Sequence, residues 1–157
     1  MSTTISFPER ALLVRRASAL LCLRLGWSAL HEVALPSGRR ADLLALRPDG
    51  GFAIIEVKSG LRDFQTDTKW AEYRAYCDAL FFAVDTDFPH ELLPEDAGLI
   101  VADGTQADIL RAAPTHGLAP ARRRALLHCY ATLAASRLAA HEDPAGVAAL
   151  RTALRVE

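Results

Sequence analysis

Lysine is almost absent from this chain of 157 residues, because 16 of its 18 basic residues are arginine. Arginine can replace lysine where only charge matters, whereas lysine offers a compact ammonium group with a tunable pKa. The two lysines that remain, Lys58 and Lys69, are therefore candidates for positions that need an ammonium group specifically.

Metal-binding and nucleophile motifs are also lacking. The three cysteines lie far apart without a CxxC pair, which favours buried reduced thiols and excludes a four-cysteine iron–sulfur cluster. The five histidines show no HxH or HExxH spacing, which argues against a zinc site. GxSxG, Walker A and GxGxxG motifs are missing too.

Long apolar runs and a strong net charge are missing as well. Arginines interrupt the apolar stretches, so we expect no membrane span, and the polar first ten residues favour a cytoplasmic protein without a secretory signal. A net charge of -1 excludes a surface coated in positive charge, so any nucleic-acid contact must be local. Length and a hydrophobic content of 51% predict a single globular domain over residues 1–157.

What is present is an alternation of helix and strand patterns. A capping box at Ser6 and Glu9 begins a helix that runs to about Leu25. Turns around Ser37 and Asp49 then separate three strands of an antiparallel meander. The predicted strands are 27–35, 40–46, 52–58, 79–84, 98–102 and 106–111, and the later helices are 67–77, 119–141 and a short one from 144. The fold class is therefore α/β, with a mixed central sheet flanked by helices and C-terminal helices from about residue 119.

Three charged residues interrupt otherwise apolar strands. Strand alternation places Glu56 and Lys58 on one face, and hairpin symmetry places Asp42 opposite Glu56. Facing carboxylates repel each other unless a cation lies between them, and Mg²⁺ prefers such oxygen ligands. A nearby lysine can hold an attacking water or stabilise charge on a phosphate. The alternative is an exposed Glu56–Lys58 pair, with Asp42 contacting Arg40 or a backbone amide.

Further residues are candidates for the edge of this site. Hairpin symmetry about Ser37 brings Glu32 close to Asp42 as a third carboxylate; alternatively, Glu32 is a surface partner of Arg39 or Arg40. These two interpretations remain open.

Other polar residues are candidates for contacts with nucleic acid. Lys69 follows Asp67, a predicted helix N-cap, and a lysine there opposes the helix dipole unless an anion lies nearby. Gln65 in the preceding loop can orient a water or phosphate, or simply face solvent. Arg122 and Arg123, at the start of the long helix, can contact DNA phosphates or form a solvated helix face.

The run Asp42…Glu56-Val57-Lys58 resembles the PD-(D/E)xK nuclease superfamily, of restriction-endonuclease-like fold with an α-β-β-β-α-β core. Residues 41–84, with EVKSG and DFQTDTKWAEYRAYCDALFFAV, more closely resemble the MmcB-like DNA repair protein family. The resemblance implies a repair nuclease dependent on Mg²⁺ or Mn²⁺. It makes Asp42, Glu56 and the Val57 carbonyl metal ligands and Lys58 the catalytic lysine. Ala41 stands where the motif has proline.

The resemblance also implies DNA as the partner, and it is compatible with a homodimer or a repair-protein partner. Two alternatives remain. The first is a nuclease fold that binds nucleic acid or a partner without cleavage, and the second is an interaction domain with a decayed site.

Overall fold

A computed structural model describes residues 6–155 and divides the chain into two compact units at residues 118 and 119. This division falls where the C-terminal helices were expected to begin. The first unit contains a six-stranded sheet in the order β1-β2-β3-β4-β5-β6. Its strands are β1 (Ser28–Ala34), β2 (Arg40–Leu46), β3 (Phe52–Val57), β4 (Ala79–Asp85), β5 (Gly98–Ala102) and β6 (Ala107–Arg111).

The sheet is mixed, as the sequence predicted, and every predicted strand boundary lies within one residue of the observed one. β1, β2 and β3 form an antiparallel meander. β3, β4 and β5 pair in parallel, and β6 is antiparallel to β5. β3 and β4 are buried on both faces, which explains their continuous apolar runs. The chain thus has the α-β-β-β-α-β order of a restriction-endonuclease-like fold.

Helix α1 (Phe7–Arg24) covers one face of the sheet. It begins at the predicted capping box, where the Glu9 carboxylate accepts hydrogen bonds from the Ser6 backbone N–H (2.8 Å) and hydroxyl (2.7 Å). It ends before Gly26, whose φ of 71° turns the chain into β1. Its buried side packs against the odd-numbered residues of β3, including Ile55 and Val57.

The opposite face carries a second, aromatic cluster. Phe82 of β4 is fully buried, and the rings of Phe64 and Trp70 meet it edge-on with centroids 5.6 and 5.3 Å away. These aromatic contacts hold the segment between β3 and β4 against the sheet. They lie on the face that carries Phe82 and its register partner in β3, Glu56.

The segment between β3 and β4 differs from the prediction. A single helix over 67–77 after a polar loop is wrong: helix α2 (Leu61–Thr66) is followed by a 3-10 helix (Trp70–Tyr76). Asp67 does not cap the second helix, whose N-cap residue is Lys69. The reason is that the Asp67 side chain contacts Arg39, in the turn before β2, and Lys58, just after β3, and the chain kinks at this residue.

Asp78 ties the start of β3 to the end of the first unit. Its Oδ2 accepts a hydrogen bond from the Phe52 N–H (2.7 Å), and its Oδ1 accepts one from the Leu118 N–H (3.1 Å). Asp78 is 4% exposed, so one buried carboxylate satisfies two main-chain donors.

The second unit is helical, with α3 (Pro120–Glu142) and α4 (Pro144–Ala153). Both helices lie close to their predicted positions. The leucines of α3 are only partly buried, since Leu126 is buried whereas Leu127 and Leu138 are exposed. Across residues 6–155, no helix is both long enough and apolar enough to cross a membrane.

Candidate active site

The predicted pairing of Asp42 with Glu56 is present at the open end of the β2–β3 hairpin, away from its turn. The register pairs Leu43 with Ile55, which sets the two carboxylates side by side. The Glu56 Oε1 accepts a hydrogen bond from the Asp42 N–H (3.2 Å), and the Asp42 Oδ2 accepts one from the Val57 N–H (2.8 Å). Each carboxylate therefore reaches across to the backbone of the neighbouring strand.

Burial makes this pair electrostatically costly. Glu56 is 4% exposed, and burial together with the neighbouring charge of Asp42 raises its pKa to about 8. Burial also raises the pKa of Asp42, although the Val57 amide and the Lys58 charge act in the opposite direction. Near neutral pH, Glu56 therefore favours its protonated form unless a cation is supplied.

Lys58 directly follows β3, at the same end of the hairpin, and is 5% exposed. Its Nζ donates a hydrogen bond to the Asp67 Oδ2 at 2.8 Å. Glu56 and Lys58 are thus both buried, so their interpretation as an exposed surface pair is wrong. The expected contact of Asp42 with a backbone amide is present, through Val57, and it coexists with the Asp42–Glu56 pairing.

These groups open into one pocket of about 740 Å³. Its lining combines the apolar start of α1 with acidic and basic side chains from β2, β3 and the segment that follows. The residues that line it are Pro8, Ala11, Leu12, Arg15, Asp42, Glu56, Val57, Lys58, Asp63, Thr66, Asp67 and Tyr73. A concave site with convergent polar groups and a strongly shifted carboxyl pKa is typical of a functional site.

The donor set fits a hard divalent cation. Mg²⁺ is commonly held by one or two carboxylates, keeps several waters and takes its other oxygens from substrate phosphates. Asp42 and Glu56 supply the two carboxylates, and Val57 lines the same pocket. Within residues 6–155 no group of three or more His, Cys, Asp or Glu side chains is placed to hold a metal ion. Beyond the two carboxylates, a metal here would complete its coordination with main-chain, solvent or substrate oxygens.

Glu32, the predicted third ligand, has other partners. Its register position is opposite Asp42, between the pairs His31–Leu43 and Val33–Ala41. Its φ of 49° is unusual for a residue with a side chain, and its carboxylate lies 3.1 Å from Arg15 and 3.7 Å from Arg40. The ion pair with Arg40 was the alternative interpretation, and a metal-ligand role for Glu32 stays a prediction.

The predicted nucleic-acid contacts lie in different parts of the chain. Lys69 and Gln65 are exposed beside the pocket-lining Asp67 and Thr66, with Gln65 on α2 rather than in a loop. Arg122 and Arg123 lie at the start of α3, in the second unit. For all four, contact with DNA stays a prediction.

Several pocket residues were not predicted as site residues from the sequence, and Tyr73, Arg15 and Asp63 are among them. Tyr73 is buried, and its hydroxyl donates a hydrogen bond to the Arg40 carbonyl (3.1 Å). Burial and the charge of Glu56 raise the pKa of Tyr73 to about 12. Arg15 and Asp63 also line the pocket, but charged residues on a helix carry no pattern that separates a pocket from open solvent.

Comparison with known proteins places the chain in a family. The model of the MmcB-like DNA repair protein family matches residues 2–145. A solved structure of a protein of unknown function from Silicibacter pomeroyi is 43% identical, with a TM-score of 0.83 over 87% of this chain and 94% of that one. None of the curated proteins searched matches the chain. With the fold, the Asp42–Glu56–Lys58 site and a match over most of its length, this chain belongs to the MmcB-like family of DNA repair proteins.

Proposed function

We propose that this protein is a metal-dependent deoxyribonuclease that hydrolyses phosphodiester bonds in a DNA repair intermediate. The observation that carries the proposal is a half-buried Asp42 beside a buried Glu56, with the buried Lys58 lining the same pocket. Such a pair is costly without a cation, and an ammonium group beside it suits the negative charge of a phosphate.

In this proposal Asp42 and Glu56 hold Mg²⁺ or Mn²⁺, with the Val57 carbonyl as a further ligand. The bound metal would supply Lewis-acid activation of the phosphate and of the attacking water. The Lys58 Nζ donates hydrogen bonds to the water or to a phosphate oxygen, where it stabilises the charge that develops as the phosphorus is attacked. The apolar start of α1 lines one side of the pocket with Pro8, Ala11 and Leu12.

The test is cleavage of a panel of labelled DNAs, comprising single strands, duplexes, nicks and flaps, with Mg²⁺, Mn²⁺ or EDTA. We expect cleavage of at least one DNA with metal and none with EDTA. Asp42→Asn, Glu56→Gln and Lys58→Met should each lower the rate by about 10²–10³-fold. The exposed Glu95→Gln variant is the matched control and should cleave like the wild type.

Full activity of a folded Lys58→Met variant would contradict the role given to the lysine. Failure of the wild type to cut any DNA with either metal would overturn the nuclease proposal. If the protein then bound DNA with a steep salt dependence, the alternative of a nuclease-like fold that binds without cleavage would replace it.

A further inference from the structure

Lys58 is held by a carboxylate that is not one of the two proposed metal ligands. Its side chain is 5% exposed, and its Nζ donates a hydrogen bond to the Asp67 Oδ2 at 2.8 Å. A buried ammonium must be paired, and it could in principle turn toward Asp42 or Glu56, which lie at the same pocket. Instead its hydrogen bond goes to Asp67, on the segment between α2 and the 3-10 helix.

Asp67 is itself fixed through its second oxygen. The Asp67 Oδ1 lies 3.4 Å from Arg39 Nη2 and accepts a hydrogen bond from the Lys69 N–H at 3.2 Å. Arg39 in turn donates from Nε to Glu72 at 3.1 Å, and its guanidinium lies 5.1 Å from the centre of the Tyr73 ring. The carboxylate is thus held from the β1–β2 turn and from its own backbone.

Placing a further negative charge in a pocket that already holds Asp42 and Glu56 needs compensation. Lys58 and Arg39 provide it, one on each oxygen of Asp67. Burial raises the pKa of Asp67, but these contacts outweigh it and lower the pKa overall. The carboxylate therefore remains ionised and pairs with the Lys58 ammonium. The arrangement fixes the position of the Lys58 Nζ relative to the two carboxylates.

We propose that Asp67, anchored by Arg39, is the positioning residue that holds the Lys58 ammonium at the pocket for reaction with a phosphodiester. This inference rests on the proposed nuclease function. It assigns Asp67 no contact with substrate or metal, so removing it should impair the chemical step while leaving the binding of both intact.

The first test compares Asp67→Ala and Asp67→Asn with Thr68→Ala, a change at the neighbouring exposed residue. Asp67→Ala should lower kcat by about 10–100-fold, with KM for DNA and the affinity for Mn²⁺ unchanged within about twofold. Asp67→Asn keeps one acceptor oxygen and should recover part of the loss, whereas Thr68→Ala should match the wild type. Equal kcat for wild type and folded Asp67→Ala would overturn the proposal.

The second test needs no activity, because the chain contains only two lysines. Protein labelled with ¹⁵N only at lysine should show a restrained side chain for Lys58 and a mobile one for exposed Lys69, with Lys69→Arg giving the assignment. Asp67→Ala should make Lys58 as mobile as Lys69. If the alanine variant does not fold, Asp67→Asn, which keeps one acceptor oxygen, should increase the mobility of Lys58 to a level between those of wild-type Lys58 and Lys69. An unchanged, restrained Lys58 would overturn the holding role. If the wild type cuts no DNA but Lys58 becomes mobile in Asp67→Ala, the nuclease proposal is refuted, whereas the role of Asp67 in holding Lys58 is supported.

Discussion

Replacing Glu56 by glutamine should stabilise the metal-free protein, and increasingly so as the pH rises. The carboxyl is 4% exposed, and burial together with Asp42 raises its pKa from 4.5 to about 8. In that range the folded protein keeps a proton that the unfolded chain has lost, so the free energy of unfolding falls as pH rises from about 4.5 to 8 and is level above it. Glutamine is neutral throughout, and its Oε1 can still accept the Asp42 N–H.

The expected difference follows from the shift in proton affinity. Each tenfold change in the proton affinity of Glu56 corresponds to roughly 1.4 kcal/mol, so the full change in the free energy of unfolding is about 5 kcal/mol. Relaxation around the site reduces this to about 3–5 kcal/mol. The difference in the free energy of unfolding between Glu56→Gln and wild type should be near its minimum at pH 4.5 and reach its maximum by pH 8–9. Mn²⁺ should stabilise the wild type and not the variant, because only the wild type retains both carboxylates.

The assay is urea denaturation with EDTA at several pH values between 4.5 and 9, followed by the same series with Mn²⁺. Glu95→Gln removes an exposed carboxylate of the same type and should give a pH profile parallel to the wild type. A difference between Glu56→Gln and wild type that does not change with pH would refute the argument that Glu56 is a buried carboxyl of raised pKa.

Three further predictions concern burial and packing within the fold. Asp78→Ala leaves two buried main-chain N–H groups without their acceptor and should lower the free energy of unfolding by about 2–5 kcal/mol, measured in urea, with Asp78→Asn intermediate. Phe82→Ala removes the ring at the centre of the aromatic cluster and should cost about 3–5 kcal/mol by the same measurement; a loss under 1 kcal/mol would contradict the packing. Burial raises the pKa of Cys22 to about 11 and that of Cys77 to about 12, so native protein at pH 8 should expose only Cys129 to a thiol reagent. Rapid reaction of all three thiols without unfolding would show the core to be more open than described.

The central pair could be predicted because its geometry is local. The β2–β3 connection is a short turn, so residues equally far from it must lie opposite each other. Asp42 and Glu56 are fourteen residues apart, and each stands among apolar residues of its strand. Alternation along β3 then placed Lys58 on the same face as Glu56. These inferences need only the period of a strand and the length of a turn.

The remaining parts of the site depend on tertiary contacts that no local pattern records. Asp67 has the sequence context of a helix N-cap, but the buried ammonium of Lys58 and the guanidinium of Arg39 compete for its oxygens, and these contacts prevail. Glu32 has the register of a third carboxylate, but its positive φ and its ion pair with Arg15 could not be anticipated from alternation alone. Both differences arise where charged groups from separate elements meet.

The central claim is that Asp42 and Glu56 together hold a divalent metal. It is tested most directly by a crystal structure of the protein soaked in Mn²⁺, with anomalous diffraction data collected to locate the ion. We expect an anomalous peak in the pocket, about 2.0–2.4 Å from a carboxylate oxygen of each residue, and its loss in Asp42→Asn. Manganese bound elsewhere on the protein, with no peak between these two carboxylates, would contradict it.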